Sequence, residues 1–116
     1  MVKTKQQVID LLKENREKLK SFGVKRVGLF GSFVTDNQSS NSDIDLLVDF
    51  DKSKKSFRNF MGTIDFTENI FGRKVDLLTT ESLSPYIAPH IQKEVKYVQI
   101  TWRISKTYSG LSVSIY

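Results

Sequence analysis

The sequence predicts a single α+β domain, in which helices and short strands alternate along the chain. Residues 4 to about 21 carry apolar side chains at three- and four-residue steps, which predicts an amphipathic helix. The stretch Asp43–Phe50 has a period of two, which predicts a strand with one core-facing side. A third stretch, opened by Arg73 and containing the letters KVDLLT, predicts a further strand. A chain of 116 residues is large enough for one modest core and too small for two.

Turn and cap residues bound the elements in the N-terminal half. Thr4 is expected to cap the first helix and Gly23 to end it. Lys25–Phe30 is expected to form the first strand, followed by a helical turn from Gly31 to about Thr35. The polar segment Asp36–Ser42 is expected to be an exposed loop.

The C-terminal half predicts two more helices and a last strand. One helix extends to about Phe71 and is ended by Gly72. A short helix is expected from Ser82 to about Lys93, with Pro85 near its start. Residues 94–100 are then expected to add a strand.

The domain is expected to comprise residues 1–100, followed by a C-terminal tail or hairpin of unknown role at residues 101–116. The aromatic side chains of the tail could form a partner-binding patch. The candidates are Trp102, Tyr108 and Tyr116.

Composition narrows the chemistry and the compartment. The absence of cysteine excludes disulfides and thiolate metal sites. A formal net charge of +5 suits an anionic ligand, but it is equally typical of a merely soluble surface. The polar start lacks a signal peptide, and no apolar run approaches the roughly 20 residues of a membrane span. We therefore expect a soluble, cytoplasmic protein with no membrane partner.

Two aspartates at the start of the second strand point to a cation. Asp43 and Asp45 share one face of that strand, opposite the core-facing residues. Two carboxylates this close repel each other unless a cation lies between them. Carboxylate oxygens with no cysteine or histidine nearby favour magnesium or manganese over zinc.

A glycine-serine pair ends the first strand and points to an anion. Gly31 permits close backbone approach, and free N–H groups at a helix start favour a phosphate. Ser32 could cap the helix or donate a hydrogen bond to a phosphate. Alone, such a pair is usually an ordinary turn.

The strings LFGS, SDIDLLV and KVDLL, in this order, resemble the minimal nucleotidyltransferases of the DNA polymerase beta-like nucleotidyltransferase superfamily. The resemblance covers about residues 5–98. It implies a small mixed β-sheet with helices packed on one face, the palm fold of that superfamily. It also implies that Asp43 and Asp45 bind two Mg²⁺ ions and that Asp76 completes the site of the catalytic ion. Asp76 could also help take the acceptor's proton, while Gly31 and Ser32 hold the phosphates of ATP.

The resemblance further implies an acceptor and a partner. Proteins of this kind typically transfer AMP from ATP to a tyrosine of a HEPN-domain ribonuclease toxin and act as its antitoxin. We expect no direct nucleic-acid binding, and a homo- or hetero-oligomer is possible. Two alternatives stay open: an antitoxin that masks its partner without catalysis, and an enzyme that modifies a small molecule such as an aminoglycoside.

The chain departs from the family where an arginine and a glycine often follow the serine. Thr35 and Asp36 occupy those positions, and aspartate tolerates the left-handed turn that a glycine would adopt. The loss of the arginine could weaken nucleotide binding.

Several charged residues also have a purely structural interpretation. Asp76 could pair with Arg73 or Lys74, or lie on an edge strand. The lone His90 has no second ligand beside it and is assigned no role. The cations after the second strand could face a triphosphate or an acceptor, but a solvated turn and helix start is the expected arrangement. They are Lys52, Lys54, Lys55 and Arg58.

Overall fold

A computed structural model describes residues 1–101 of the chain. The tail proposed for residues 101–116 lies outside the described residues, apart from Thr101. The helices are α1 (Lys5–Glu14), α2 (Arg16–Ser21), α3 (Ser32–Thr35), α4 (Phe57–Phe71) and α5 (Ala88–Glu94). The strands are β1 (Val24–Phe30), β2 (Ile44–Phe50), β3 (Val75–Thr79) and β4 (Lys96–Gln99). Short 3-10 turns occupy Lys52–Lys54 and Thr80–Ser82.

The four strands form one mixed sheet in the order β3-β2-β1-β4. β1 runs antiparallel to β2 and β4, while β2 and β3 are parallel. One face of the sheet packs on α1, α2 and α4 in a continuous apolar cluster. The α+β class and the small mixed sheet predicted from the sequence are therefore confirmed. Among residues 1–101, no helix is long and apolar enough to cross a membrane.

The first predicted helix is interrupted at Asn15. Its start is as expected, since Thr4 and Gln7 form a reciprocal capping box. Asn15 leaves the helical conformation, with φ −108° and ψ 25°, and its side-chain amide donates to the carbonyl of Leu11 at 2.8 Å. Asparagine competes with the helix in this way, so one helix becomes α1 and α2. Gly23, with φ 86°, follows the end of α2 as predicted.

The strand β2 lies in the middle of the sheet and is buried on both faces. Its core-facing residues are fully or almost fully buried, as the alternation predicted. Leu47, on the opposite face, is also fully buried. β3 lies at the edge of the sheet, and only one of its faces is buried. Val75 and Leu77 are buried, whereas Asp76 and Leu78 are exposed.

Two boundaries in the C-terminal half were predicted too early. β3 begins at Val75 rather than Arg73. The last helix begins at Ala88 rather than Ser82, with Pro89 and not Pro85 in its first turn. A proline disfavours helical geometry in the residue before it, so Pro85 keeps the preceding segment out of the helix. The last strand was predicted correctly and is β4.

The departure at Asp36 is accommodated by a left-handed backbone. Asp36 follows α3 with φ 60° and ψ 29°, the conformation that a glycine would adopt there. Its N–H donates a hydrogen bond to the carbonyl of Ser32, the first residue of α3. The expectation that aspartate can close this turn is confirmed.

We expect Asp36→Ala to lower the free energy of unfolding by about 1 kcal/mol, because alanine has a steric penalty at positive φ that glycine lacks. Asp36→Gly is the matched control and should not lower it. Urea unfolding followed by circular dichroism measures both variants. Equal effects of alanine and glycine would contradict a backbone origin.

Candidate active site

The parallel pairing of β2 and β3 places two of the predicted site residues side by side. Asp45 lies opposite Asp76 in the register of the two strands. Residues paired in this way project from the same face of a sheet. Asp45 is half-buried, and Asp76 is exposed on the edge strand. Asp43 is exposed and directly precedes the first residue of β2.

The end of β1 brings the glycine-serine turn against the same carboxylate. Phe30, the last residue of β1, pairs with Asp45 across the sheet. Gly31 then adopts φ 79° and ψ −151°, and a Cβ on it would overlap the carboxylate of Asp45. Only glycine satisfies both the backbone conformation and the close approach.

Gly31, not Ser32, is the N-cap of α3, and Ser32 is the first helical residue. The suggestion that Ser32 caps this helix was therefore wrong. Ser32 directly follows Gly31 along the chain and is half-buried. A role for it in phosphate binding stays a prediction.

A fourth carboxylate, missed in the sequence, reaches the site from α5. The Glu94 Oε1 atom accepts a hydrogen bond from the Gly31 N–H at 3.1 Å. Glu94 is the last residue of α5. The two residues are 63 positions apart, and no local pattern marks Glu94 as a site residue.

The site is strongly acidic at its centre. Burial is the largest cause that raises the pKa of Asp45 from 3.8 to about 6, and the negative charges of Asp76, Asp43 and Glu94, in that order, account for the rest of the rise. The shift shows that these carboxylates act on one another across the site. The contribution of Asp43 has the direction expected from the repulsion that the sequence predicted between Asp43 and Asp45.

The donor chemistry fits a hard divalent cation, since every candidate ligand is a carboxylate. In the part of the chain that the structure describes, however, no three Asp, Glu, His or Cys side chains form a ready-made metal-binding group. The assignment of metal to Asp43, Asp45 and Asp76 therefore rests on donor type and register.

The nearby cations do not neutralise the aspartates. Arg73 donates to main-chain carbonyls, and neither ion pair found among residues 1–101 involves a site carboxylate. The suggested ion pair of Asp76 with Arg73 is thus not formed, whereas its alternative placement on an edge strand is correct. His90 and the cations after β2 are exposed, and Lys55 pairs with Glu81.

The sequence of the whole domain matches a known family. Residues 8–98 match the model of the nucleotidyltransferase domain. The chain belongs to this family and is a nucleotidyltransferase of the polymerase beta-like fold. Within that class it is a minimal nucleotidyltransferase.

Two relatives have closely similar lengths. A candidate protein adenylyltransferase of Methanocaldococcus jannaschii is 36% identical over 100 residues, which cover 84% of this chain and 100% of that protein. The protein adenylyltransferase MntA of Thermococcus cleftensis is 34% identical over 96 residues, covering 82% of this chain and 96% of that protein.

Solved structures share the fold. A candidate minimal nucleotidyltransferase superposes with a TM-score of 0.62 and 26% identity, over 76% of this chain and 93% of that one. A toxin–antitoxin complex with AMP-PNP gives a TM-score of 0.57 and 23% identity, over 84% of this chain and 72% of that one. At that identity the second comparison establishes the fold alone.

We expect Asp45→Asn to stabilise the metal-free protein at pH 8. A carboxyl whose pKa is higher in the folded than in the unfolded chain destabilises the fold increasingly as the pH rises from the unfolded to the folded value, here from 3.8 to about 6, and by a constant amount above it. The gain should be about 1 kcal/mol at pH 8, after allowance for solvent screening, and should vanish near pH 4. Urea unfolding in EDTA at both pH values measures it.

Asp49→Asn is the control, because Asp49 lies on the same strand and faces Arg26 at 3.6 Å rather than other carboxylates. It should not stabilise the protein. A loss of stability in Asp45→Asn at pH 8 would contradict the repulsion.

Proposed function

We propose that the protein transfers AMP from ATP to a hydroxyl of a partner protein in a Mg²⁺-dependent reaction. The observation that carries the proposal is the convergence of Asp45, Asp76 and Gly31, which the pairing of β1, β2 and β3 brings together. The similarity to named protein adenylyltransferases over nearly their whole length supports the acceptor class.

Each residue has a defined task in this reaction. Asp43 and Asp45 would hold two Mg²⁺ ions, and Asp76 would complete the site of one of them. Once bound, the ions would neutralise the triphosphate and activate the attacking hydroxyl. The amide of Gly31, with Ser32, holds the phosphates of ATP. Most of the rate then comes from positioning and charge neutralisation.

The chemical step is an in-line displacement. The acceptor oxygen bonds to the α-phosphorus, the bond from that phosphorus to the bridging oxygen of the β-phosphate breaks, and pyrophosphate leaves. Asp76 could take the hydroxyl proton, because its side chain is exposed on an edge strand that an incoming acceptor can reach.

We propose a tyrosine of a HEPN-domain ribonuclease toxin as the acceptor, with this chain as its antitoxin. A structure of the same fold is a toxin–antitoxin complex with AMP-PNP, which fits this assignment. The similarity to proteins named as protein adenylyltransferases favours a separate protein as the acceptor. The double variant below separates this proposal from masking without catalysis.

We expect Asp43→Asn with Asp45→Asn to abolish AMP transfer while leaving the fold and partner binding intact. Intact-mass spectrometry of the protein with its co-purified partner, before and after addition of MgCl₂ and ATP, measures transfer directly. The partner should gain one or more AMP units only with an active protein. Asp49→Asn, on the same strand, is the control that should retain transfer.

The alternatives predict different results in the same experiment. A stable complex with no mass change, and full neutralisation by the double variant, would establish masking without catalysis. Consumption of ATP with no protein acceptor present would instead point to a small-molecule substrate.

We expect Glu94→Gln to bind ATP about three to ten times more tightly than the unaltered protein in the absence of Mg²⁺. Glu94 holds the same Gly31 N–H that the phosphates would use, and its charge repels them. Calorimetric titration measures the affinity. Glu81→Gln is the control, because Glu81 pairs with Lys55 and does not contact Gly31. Weaker binding by Glu94→Gln would show that Glu94 assists the nucleotide instead.

A further inference from the structure

Arg73 lies between α4 and β3 and is only 9% exposed. Its guanidinium donates hydrogen bonds to main-chain carbonyls. The Nε atom donates to the carbonyl of Val2 at 2.8 Å. The Nη1 atom donates to Ser39 at 2.9 Å, to Ser42 at 2.9 Å and to Ser40 at 3.2 Å. No ion pair to Arg73 is found within residues 1–101, so carbonyl oxygens take the place of a carboxylate partner.

Three of these carbonyls belong to the loop that separates the two halves of the site. Residues 36–42 connect α3, which follows Gly31, to Asp43 and β2. Ser42 is the residue directly before Asp43. The loop is polar and largely exposed, and Arg73 donates hydrogen bonds to three of its carbonyls. These bonds restrain the backbone that leads to Asp43.

Arg73 also contacts the other side of the loop. Its Cζ atom lies 5.0 Å from the centre of the Phe33 ring, an arrangement typical of a cation–π contact. Phe33 is fully buried and is the second residue of α3, next to Ser32. The guanidinium therefore touches both the helix that starts at the glycine-serine turn and the loop that ends at Asp43.

The strand that carries Asp76 follows directly from Arg73. The carbonyl of Lys74 accepts a hydrogen bond from the N–H of Ile44 at 2.9 Å, next to the first paired residues of β2 and β3. Asp76 comes two residues later, opposite Asp45. One side chain thus connects all three segments from which the site is built.

A purely structural role would be served more simply by an apolar residue. A buried guanidinium must be desolvated, and carbonyl partners compensate for this only when the geometry is good. A planar fork with several donors can satisfy carbonyls in different directions, which a lysine ammonium on a flexible stem does less well. What distinguishes arginine from lysine here is the fixed direction of its N–H groups, and three of its hydrogen bonds go to the carbonyls of the loop.

We propose that Arg73 is a positioning residue for nucleotidyl transfer, which holds loop 36–42 so that Asp43 and the Gly31–Ser32 turn keep their places relative to Asp76. It acts through the main chain and touches neither nucleotide nor acceptor. The inference rests on the function proposed above.

The test compares Arg73→Lys with the unaltered protein in two assays. Mn²⁺ binding, followed by electron paramagnetic resonance, reports the cation site without turnover. Single-turnover AMP transfer to the partner reports the chemical step. We expect Mn²⁺ affinity to fall about five- to tenfold and the transfer rate at saturating ATP to fall about 10- to 100-fold, because misplaced catalytic groups lower the rate steeply.

Leu19→Ala is the stability control, because Leu19 is a fully buried residue of α2, a helix that carries none of the site residues. It should destabilise the fold yet leave Mn²⁺ affinity and the transfer rate unchanged well below its unfolding temperature. Arg73→Gln, which retains amide donors without the charge, replaces Arg73→Lys should that variant not fold.

Unchanged Mn²⁺ affinity and transfer rate in a folded Arg73 variant would overturn the inference. An unaltered protein that binds no Mn²⁺ and transfers no AMP would instead refute the proposed function, so the two failures are distinguishable.

Discussion

The parallel pairing of β2 with β3 is the constraint on which the site depends. It sets Asp45 opposite Asp76, so the hydrogen-bonded ladder and the apolar core hold together two carboxylates that repel each other. Burial and this repulsion raise the pKa of Asp45 to about 6. The backbone thus maintains an arrangement that the side chains alone would avoid, and a divalent cation is the species that would relieve it.

The antiparallel pairing of β1 with β2 imposes the second constraint. Because Phe30 lies opposite Asp45, the next residue after β1, Gly31, is placed against the carboxylate of Asp45. A side chain at position 31 would collide with it, and the positive φ required there disfavours other residues. The same geometry leaves an N–H of Gly31 beside the acidic cluster, where Glu94 accepts it. Glycine therefore serves both the packing and the candidate anion site.

Local patterns predicted most of the elements and the direction of the key side chains, because period and caps depend on neighbouring residues. Alternation in β2 correctly separated Asp45 from the core-facing residues. Strand order and pairing direction depend on contacts distant in sequence, so the edge position of Asp76 stood only as one alternative. The hydrogen bond from Gly31 to Glu94 could not be predicted either, because it joins residues 63 positions apart. The break at Asn15 was missed because a side-chain hydrogen bond overrode a continuous apolar period.

The distribution of charge explains why a basic protein has an acidic centre. The chain has a formal net charge of +5, yet the buried Arg73, which precedes the strand of Asp76, donates its hydrogen bonds to carbonyl oxygens. The ion pairs found in the described residues join Arg26 to Asp49 and Lys55 to Glu81, away from the site. In the proposed function, bound cations would supply the positive charge at the triphosphate, while Arg73 holds the loop that leads to Asp43.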